Sequence, residues 1–248
     1  MRGHVFAIIG AIGVTLAFLY LFGGFAGIAP PVALLSPHPH VYDNLTEPIT
    51  EISITAVYFV PRGMSPVSSE QWMMPLEREL TRLQEFHSVQ FRGSSRIRYF
   101  LHPTPIIGEK PRNAYDVDTL RHNDPEILRP VINEAASAVG HSLDAGPPYQ
   151  VLLVLYEGAG AGGAKHAALL SRSFFERADT RPDAGTFLAH EFYHALGIPD
   201  AYQTVPKVFP DGTVADAELV QTRDVMGRVR LPLEEAYLEP ETLTAMGL

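Results

Sequence analysis

The chain has 248 residues, a formal net charge of −9 at pH 7 and no cysteine. This length accommodates one sizeable domain with an appendage. The lack of cysteine excludes disulfides, cysteine-ligated metal sites and cysteine nucleophiles in this sequence. The acidic balance gives no support for nucleic-acid binding, which uses a basic surface.

The first 29 residues contain a long apolar run. No charged residue lies between Val5 and Ala29, and about 20 apolar residues are enough to span a bilayer. Arg2 precedes the run and the first charged residues after it are acidic, so the positive-inside bias places the bulk of the chain outside the cytoplasm. We therefore expect residues 1–29 to form one transmembrane helix that anchors an extracytoplasmic domain. A cleaved signal peptide is the alternative, and the domain is then secreted.

Residues 30–48 contain five prolines, which predict a stiff, extended linker between membrane and domain. Residues 51–60 are β-branched and aromatic and predict the first strand. Ser68 or Ser69 can cap a following helix that runs to about His87, because apolar residues recur on one face.

The next elements alternate between strands and helices. Residues 96–101 predict a second strand and residues 125–143 a second helix. Residues 150–156 are continuously apolar, which is typical of a buried central strand. This β-α-β-α-β order predicts an α+β domain with a mixed, twisted sheet covered by helices.

The most informative motif is His-Glu-Phe-Tyr-His at residues 190–194. Residues four apart lie on one face of a helix, so His190 and His194 can bind the same metal ion. Two imidazoles at this spacing are typical of half a zinc site. Glu191 can reach a water molecule at the metal instead of the metal itself, which predicts a general base.

The next six residues, 195–200, extend this motif to the pattern HExxHxxGxxD. Gly197 lies where a helix C-terminal cap is expected, and Pro199 prevents the helix from continuing. Asp200 can therefore return a third ligand to the same ion. The alternative third ligands are Glu218, Glu234 and Glu235.

This segment resembles the zinc-binding helix of the zincin metallopeptidases, and its extension through Gly197 and Asp200 resembles the metzincin branch. Most metzincins have a third histidine at the last position, whereas Asp200 matches the variant of snapalysin-like peptidases. Residues 224–227 (Asp-Val-Met-Gly) look like the Met-turn, in which Met226 would pack beneath the metal. The resemblance covers residues 150–227.

The resemblance implies a zinc-dependent endopeptidase with a zincin-like fold, in which Glu191 is catalytic and a peptide or protein is the substrate. A sheet subdomain (residues 49–199) would carry the zinc helix, and residues 200–248 would form a small C-terminal subdomain. Residues 167–171 would form an edge strand that pairs with substrate backbone, or else a surface loop. Tyr193 or Tyr202 would hydrogen-bond the oxyanion, or simply pack in the core.

Two other functions fit the same residues. One is a zinc amidase that acts on cell-wall peptides, and the other is a non-catalytic binding module that keeps the zincin fold. The intact Glu191 argues against the second, because a binding module has no need of the base. The sequence leaves the oligomeric state open.

Overall fold

The computed structural model describes nine stretches of the chain, residues 38–116, 128–143, 148–177, 183–201, 204–208, 210–212, 214–218, 223–227 and 231–248. The transmembrane anchor expected at residues 1–29 lies outside them. Within the described stretches, no helix is both long and apolar enough to cross a bilayer. Residues 38–248 form one compact unit.

The domain is built on a mixed α+β arrangement around one main sheet. Its strands, in order across the sheet, are β4 (Arg96–Leu101), β3 (Glu51–Val60), β6 (Tyr149–Tyr156), β8 (Ala167–Ser171) and β7 (Ala161–Ala164). The first four are mutually parallel, and β7 runs antiparallel to β8. A short strand, β5 (Ile106–Ile107), pairs with the end of β3.

The strands predicted at residues 51–60 and 96–101 are confirmed residue for residue, and the central strand begins at Tyr149, one residue before its predicted start. The carboxyl-terminal half of β3 and nearly all of β6 are fully buried, because helices cover both faces of the sheet. Continuous burial is the reason that β6 has a continuous apolar sequence rather than an alternating one.

In the described part of the chain, three helices cover the sheet. α1 (Ser69–Gln90) and α5 (Ala184–Ala195) pack on one face and share one hydrophobic core with it. α3 (Arg129–Val139) packs on the other face. The helix predicted for residues 125–143 is therefore shorter than expected, with residues 125–127 outside the described part. Two single-turn helices are α2 (Arg112–Tyr115) and α4 (Ser173–Glu176).

The C-terminal residues continue the same compact unit. They contain an antiparallel hairpin, a 3-10 turn and a final short helix. These elements are β9 (Thr204–Val208), β10 (Val214–Glu218), the 3-10 turn Leu233–Glu235 and α6 (Pro240–Ala245).

Part of the predicted linker belongs to the folded domain. Within residues 30–48, β1 (His40–Val41) and β2 (Asn44–Pro48) form a hairpin, and the backbone amide of Tyr42 donates to the carbonyl of Leu196 at the end of α5. Val41 is buried against the core. Proline content predicted an extended tether, but buried apolar side chains hold this segment on the domain.

The prediction that residues 167–171 form an edge strand is wrong, because they form β8, which lies one strand inside the end of the described sheet. β8 pairs on both sides, with β6 and with β7, and all five of its residues are buried. Among the described strands, the end of the sheet is β7, whose sequence is Ala-Gly-Gly-Ala. Glycine and alanine have low strand propensity, so pairing with β8, rather than local sequence, makes β7 a strand.

Candidate metal centre

The motif helix ends as its sequence predicts. The amide of Gly197 donates to the carbonyl of His194 at 2.9 Å, and the amide of Ile198 donates to that of Tyr193 at 3.1 Å. This pair of bonds is a Schellman motif, which requires a left-handed residue after the helix. Gly197 supplies it with a φ of +84°, and the chain then returns toward the helix.

The return of the chain brings three candidate ligand atoms together. Nε2 of His190 lies 3.2 Å from Nε2 of His194, and each of these nitrogens lies 3.2 Å from Oδ1 of Asp200. A tetrahedral zinc ion with bonds of about 2.0–2.1 Å has ligand atoms roughly 3.3 Å apart. The three atoms therefore fit one face of a zinc tetrahedron, with the fourth position left for another group.

Backbone carbonyls orient both imidazoles. Nδ1 of His190 donates to the carbonyl of Val225 at 2.8 Å, and Nδ1 of His194 donates to the carbonyl of Ile198 at 2.8 Å. A proton held on Nδ1 leaves the lone pair of Nε2 for a metal, and metal-binding histidines almost always have such an outer partner. The Asp200 side chain is 31% exposed, against 18% and 19% for the two histidines, so the centre is open to solvent on the aspartate side.

Glu191 lies beside the triangle. One of its carboxylate oxygens lies within 4.8 Å of a ring nitrogen of each histidine. Burial raises the pKa of Glu191, and the charge of Asp200 raises it further, while the positive charges of His190 and His194 act in the opposite direction. A carboxylate with a raised pKa is better matched to accepting and returning a proton near neutral pH.

The electrostatics of the triangle favour positive charge at its centre. Burial acts to raise the pKa of Asp200, but hydrogen bonds from both imidazoles outweigh it and hold that pKa well below its usual range. Burial acts to lower the pKa of His190, but its hydrogen bond to Asp200 and the charge of Glu191 raise it overall. A bound cation would meet the same attraction that protons on the imidazoles do.

Residues 224–227 form a tight turn against the motif helix. The amide of Gly227 donates to the carbonyl of Asp224 at 2.8 Å, and Met226 is fully buried in the core that contains α5. The carbonyl that orients His190 belongs to Val225, the residue before this methionine. The turn thus lies next to the candidate centre.

Of the other residues named from the sequence, Glu234 and Tyr193 lie away from the triangle. Both carboxylate oxygens of Glu234 accept hydrogen bonds from Arg82, at 2.7 and 2.6 Å, so Glu234 is already engaged. The side chain of Glu218 lies outside the described part of the structure. Tyr193 is fully buried, and its hydroxyl lies 3.2 Å from Nδ1 of His87. Of the two roles expected for Tyr193, packing in the core is the one that the structure shows, because this position of the helix faces the core. Tyr202 lies outside the described residues.

The edge strand β7 passes directly over the motif helix, a contact that the sequence did not predict. A Cβ atom at Gly163 would lie 2.1 Å from the carbonyl oxygen of Glu191 and 2.6 Å from Cβ of His194. Only glycine permits this approach. The signal in the sequence was the Gly162-Gly163 pair, since glycine within a strand often marks a close contact between backbones.

No protein-family model matches this chain, and no curated protein sequence matches it. The resemblance to the metzincins accordingly rests on the sequence motif alone.

Proposed function

We propose that the chain is a zinc-dependent endopeptidase of metzincin type. The zinc ligands are His190, His194 and Asp200, and Glu191 is the general base. The observation that supports this most strongly is the triangle of ligand atoms, each 3.2 Å from the other two. A solvated helix that carried two histidines by coincidence would not bring a carboxylate oxygen from beyond its end to the same point.

The side chains divide the chemistry between them. A zinc ion bound here would polarise the scissile carbonyl and lower the pKa of water. Glu191 accepts the proton of the attacking water and passes it to the leaving amine nitrogen. Its burial, which raises its pKa, favours the acceptance of that proton. The Nδ1–H bonds to Val225 and Ile198 keep both imidazoles in the orientation that binding requires.

Among the described strands, β7 is at the end of the sheet, and its outer edge supports a peptide as the substrate. The amide of Ser171 donates to the carbonyl of Gly160 at 2.9 Å, and Gly162 is opposite Leu169. Hydrogen-bonded and non-bonded pairs alternate along an antiparallel ladder, so Ala161 and Gly163 direct their N–H and C=O groups away from β8. An extended peptide that added a strand there would lie across the motif helix.

We place this activity outside the cytoplasm. The charge-free run from Val5 to Ala29, preceded by Arg2 and followed by acidic residues, favours a membrane anchor with the domain on the extracytoplasmic side. Fusion of a reporter that is active only after export to the C-terminus should therefore be active. An inactive reporter would place the domain in the cytoplasm.

The central experiment compares the parent chain with Glu191→Gln. Both should bind one zinc ion, while the variant should cleave casein or a quenched peptide about 10²–10⁴-fold more slowly, because the base is lost. Glu77→Gln, on the exposed side of α1, is the matched control and should behave like the parent.

Three results would contradict the proposal. If the folded parent does not bind zinc, the assignment of a zinc centre is wrong. If the Glu191→Gln variant is fully active, the assignment of Glu191 as the general base is wrong. Activity on cell-wall peptide fragments, with none on any protein or linear peptide, would instead identify the amidase.

A further inference from the structure

Asp224 has a buried carboxylate, and both of its oxygens accept hydrogen bonds from backbone amides. The residue is 0% exposed. Its Oδ1 accepts the amide of Met226 at 2.6 Å, and its Oδ2 accepts the amide of Glu239 at 2.6 Å. One carboxylate thus closes the turn at residues 224–227 and ties that turn to the segment before α6. Such charge-assisted bonds to backbone amides are stronger than neutral ones.

The turn that Asp224 closes touches two of the three ligand segments. The carbonyl of Val225 accepts Nδ1–H of His190 at 2.8 Å. The carbonyl of Met226 accepts the amide of Ala201, the residue after Asp200, at 2.9 Å. His194 does not depend on this turn, because its partner is the carbonyl of Ile198 in the loop that ends α5.

We propose that Asp224 is a positioning residue for the metal centre, which fixes the turn that aligns His190 and Asp200. This inference rests on the proposed function, since it concerns the same zinc ligands. Asparagine at this position can accept only one of the two amides, because its NH₂ group would face the other N–H. The turn would then lose one of its two hydrogen bonds to the carboxylate, and His190 and Asp200 would both be held less firmly in their orientations.

The test is the zinc affinity of Asp224→Asn, measured by competition with a chromophoric chelator. Removal of an outer partner typically weakens metal affinity about 10–100-fold, and we expect a loss in that range. The free energy of unfolding, measured in EDTA, separates this effect from general destabilisation.

The matched control is Glu134→Gln, on the opposite face of the sheet. Oε2 of Glu134 accepts the amide of Glu109 at 3.0 Å and the hydroxyl of Tyr115 at 2.6 Å, so it is also a carboxylate that binds backbone and hydroxyl groups. We expect Glu134→Gln to lower stability in EDTA and to keep the zinc affinity of the parent. In the Co²⁺-loaded proteins, the visible spectrum should change for Asp224→Asn only.

A second variant tests the inference if Asp224→Asn does not fold. Glu239 has φ −59° and ψ 145°, which proline can adopt. Glu239→Pro removes the amide that Oδ2 accepts and leaves Asp224 in place. We expect a smaller loss of zinc affinity, of about tenfold or less.

The outcomes separate this inference from the proposed function. Parent-like zinc affinity and Co²⁺ spectrum in both variants would overturn the positioning role alone. Equal losses in Glu134→Gln would also overturn it, because the effect would then follow stability. A parent that binds no zinc would overturn both, whereas a zinc-binding parent without peptidase activity would overturn only the proposed function.

Discussion

The carbonyl of Val225 accepts a hydrogen bond from Nδ1 of His190 at 2.8 Å, across 35 residues of chain. This bond keeps a proton on Nδ1 and directs Nε2 toward His194 and Asp200. The imidazole is thereby oriented before any ion binds, so that less ordering is required on binding.

Asp200→Ala is expected to weaken zinc binding by about a hundredfold or more, because the loss of a direct ligand should exceed the 10–100-fold cost of losing an outer partner. Competition with a chelator measures the change. Glu234→Ala is the control and should keep the parent affinity, since Arg82 holds both oxygens of Glu234. The reverse pattern, with affinity lost in Glu234→Ala only, would reassign the third ligand.

Zinc should stabilise the folded chain. Free zinc at 1,000 times its dissociation constant adds about 4 kcal/mol to the free energy of unfolding if it binds only the folded state. Calorimetry should therefore give a higher Tm with zinc than with EDTA. His194→Ala, which lacks one corner of the triangle, should lose this difference, and equal Tm values for the parent in zinc and EDTA would contradict a zinc site.

His87 should make the fold sensitive to acid. Burial lowers the pKa of this imidazole to about 3 from 6.5, so between these values the unfolded chain binds a proton that the folded chain does not. The contribution of neutral His87 to the free energy of unfolding is therefore fully present above pH 6.5. It falls as the pH falls through this window, by up to about 1.4 kcal/mol per pH unit. Urea unfolding in EDTA at several pH values measures this slope.

The variant His87→Gln should show a shallower slope than the parent, whatever its absolute stability. Ser95→Ala is the control: Oγ of Ser95 lies 2.9 Å from Nε2 of His87, so this change removes the hydrogen bond but keeps the imidazole. Ser95→Ala should lower the free energy of unfolding and keep the parent's dependence of that free energy on pH. Parallel slopes for the parent and His87→Gln would show that another group controls the acid response.

Gly163→Ala should separate the edge strand from the motif helix. The added Cβ would lie 2.1 Å from the carbonyl oxygen of Glu191. Neither the backbone of the strand nor that of the helix can shift easily to relieve this contact. We expect a loss of about 1–3 kcal/mol in the free energy of unfolding, together with a lower kcat/KM for peptides. Ala164→Gly, in the same strand, should cost about 1 kcal/mol or less; an equally stable Gly163→Ala variant would contradict the close approach.

Much of the sheet was predictable from local sequence. β3 and β4 lie at the predicted residues because β-branched and aromatic side chains favour strands, and α1 begins where Ser68 predicts. The hairpin at residues 38–49 and the edge strand β7 were not predictable in this way. Their sequences are rich in proline or glycine, and they are ordered by contacts with distant segments, namely the end of α5 for the hairpin and β8 for the edge strand.

The sequence by itself determined the centre's local components: two histidines four residues apart, a glutamate beside the first, and a glycine that ends the helix. These depend on helical periodicity and on the left-handed conformation of Gly197, which are properties of a short segment. The same local pattern predicted that Asp200 could return to the two histidines, and the structure places its Oδ1 at the triangle. Only the tertiary structure decided that the carbonyl of Val225 orients His190. That relationship depends on the path of the chain between residues 35 apart, and no local pattern specifies that path.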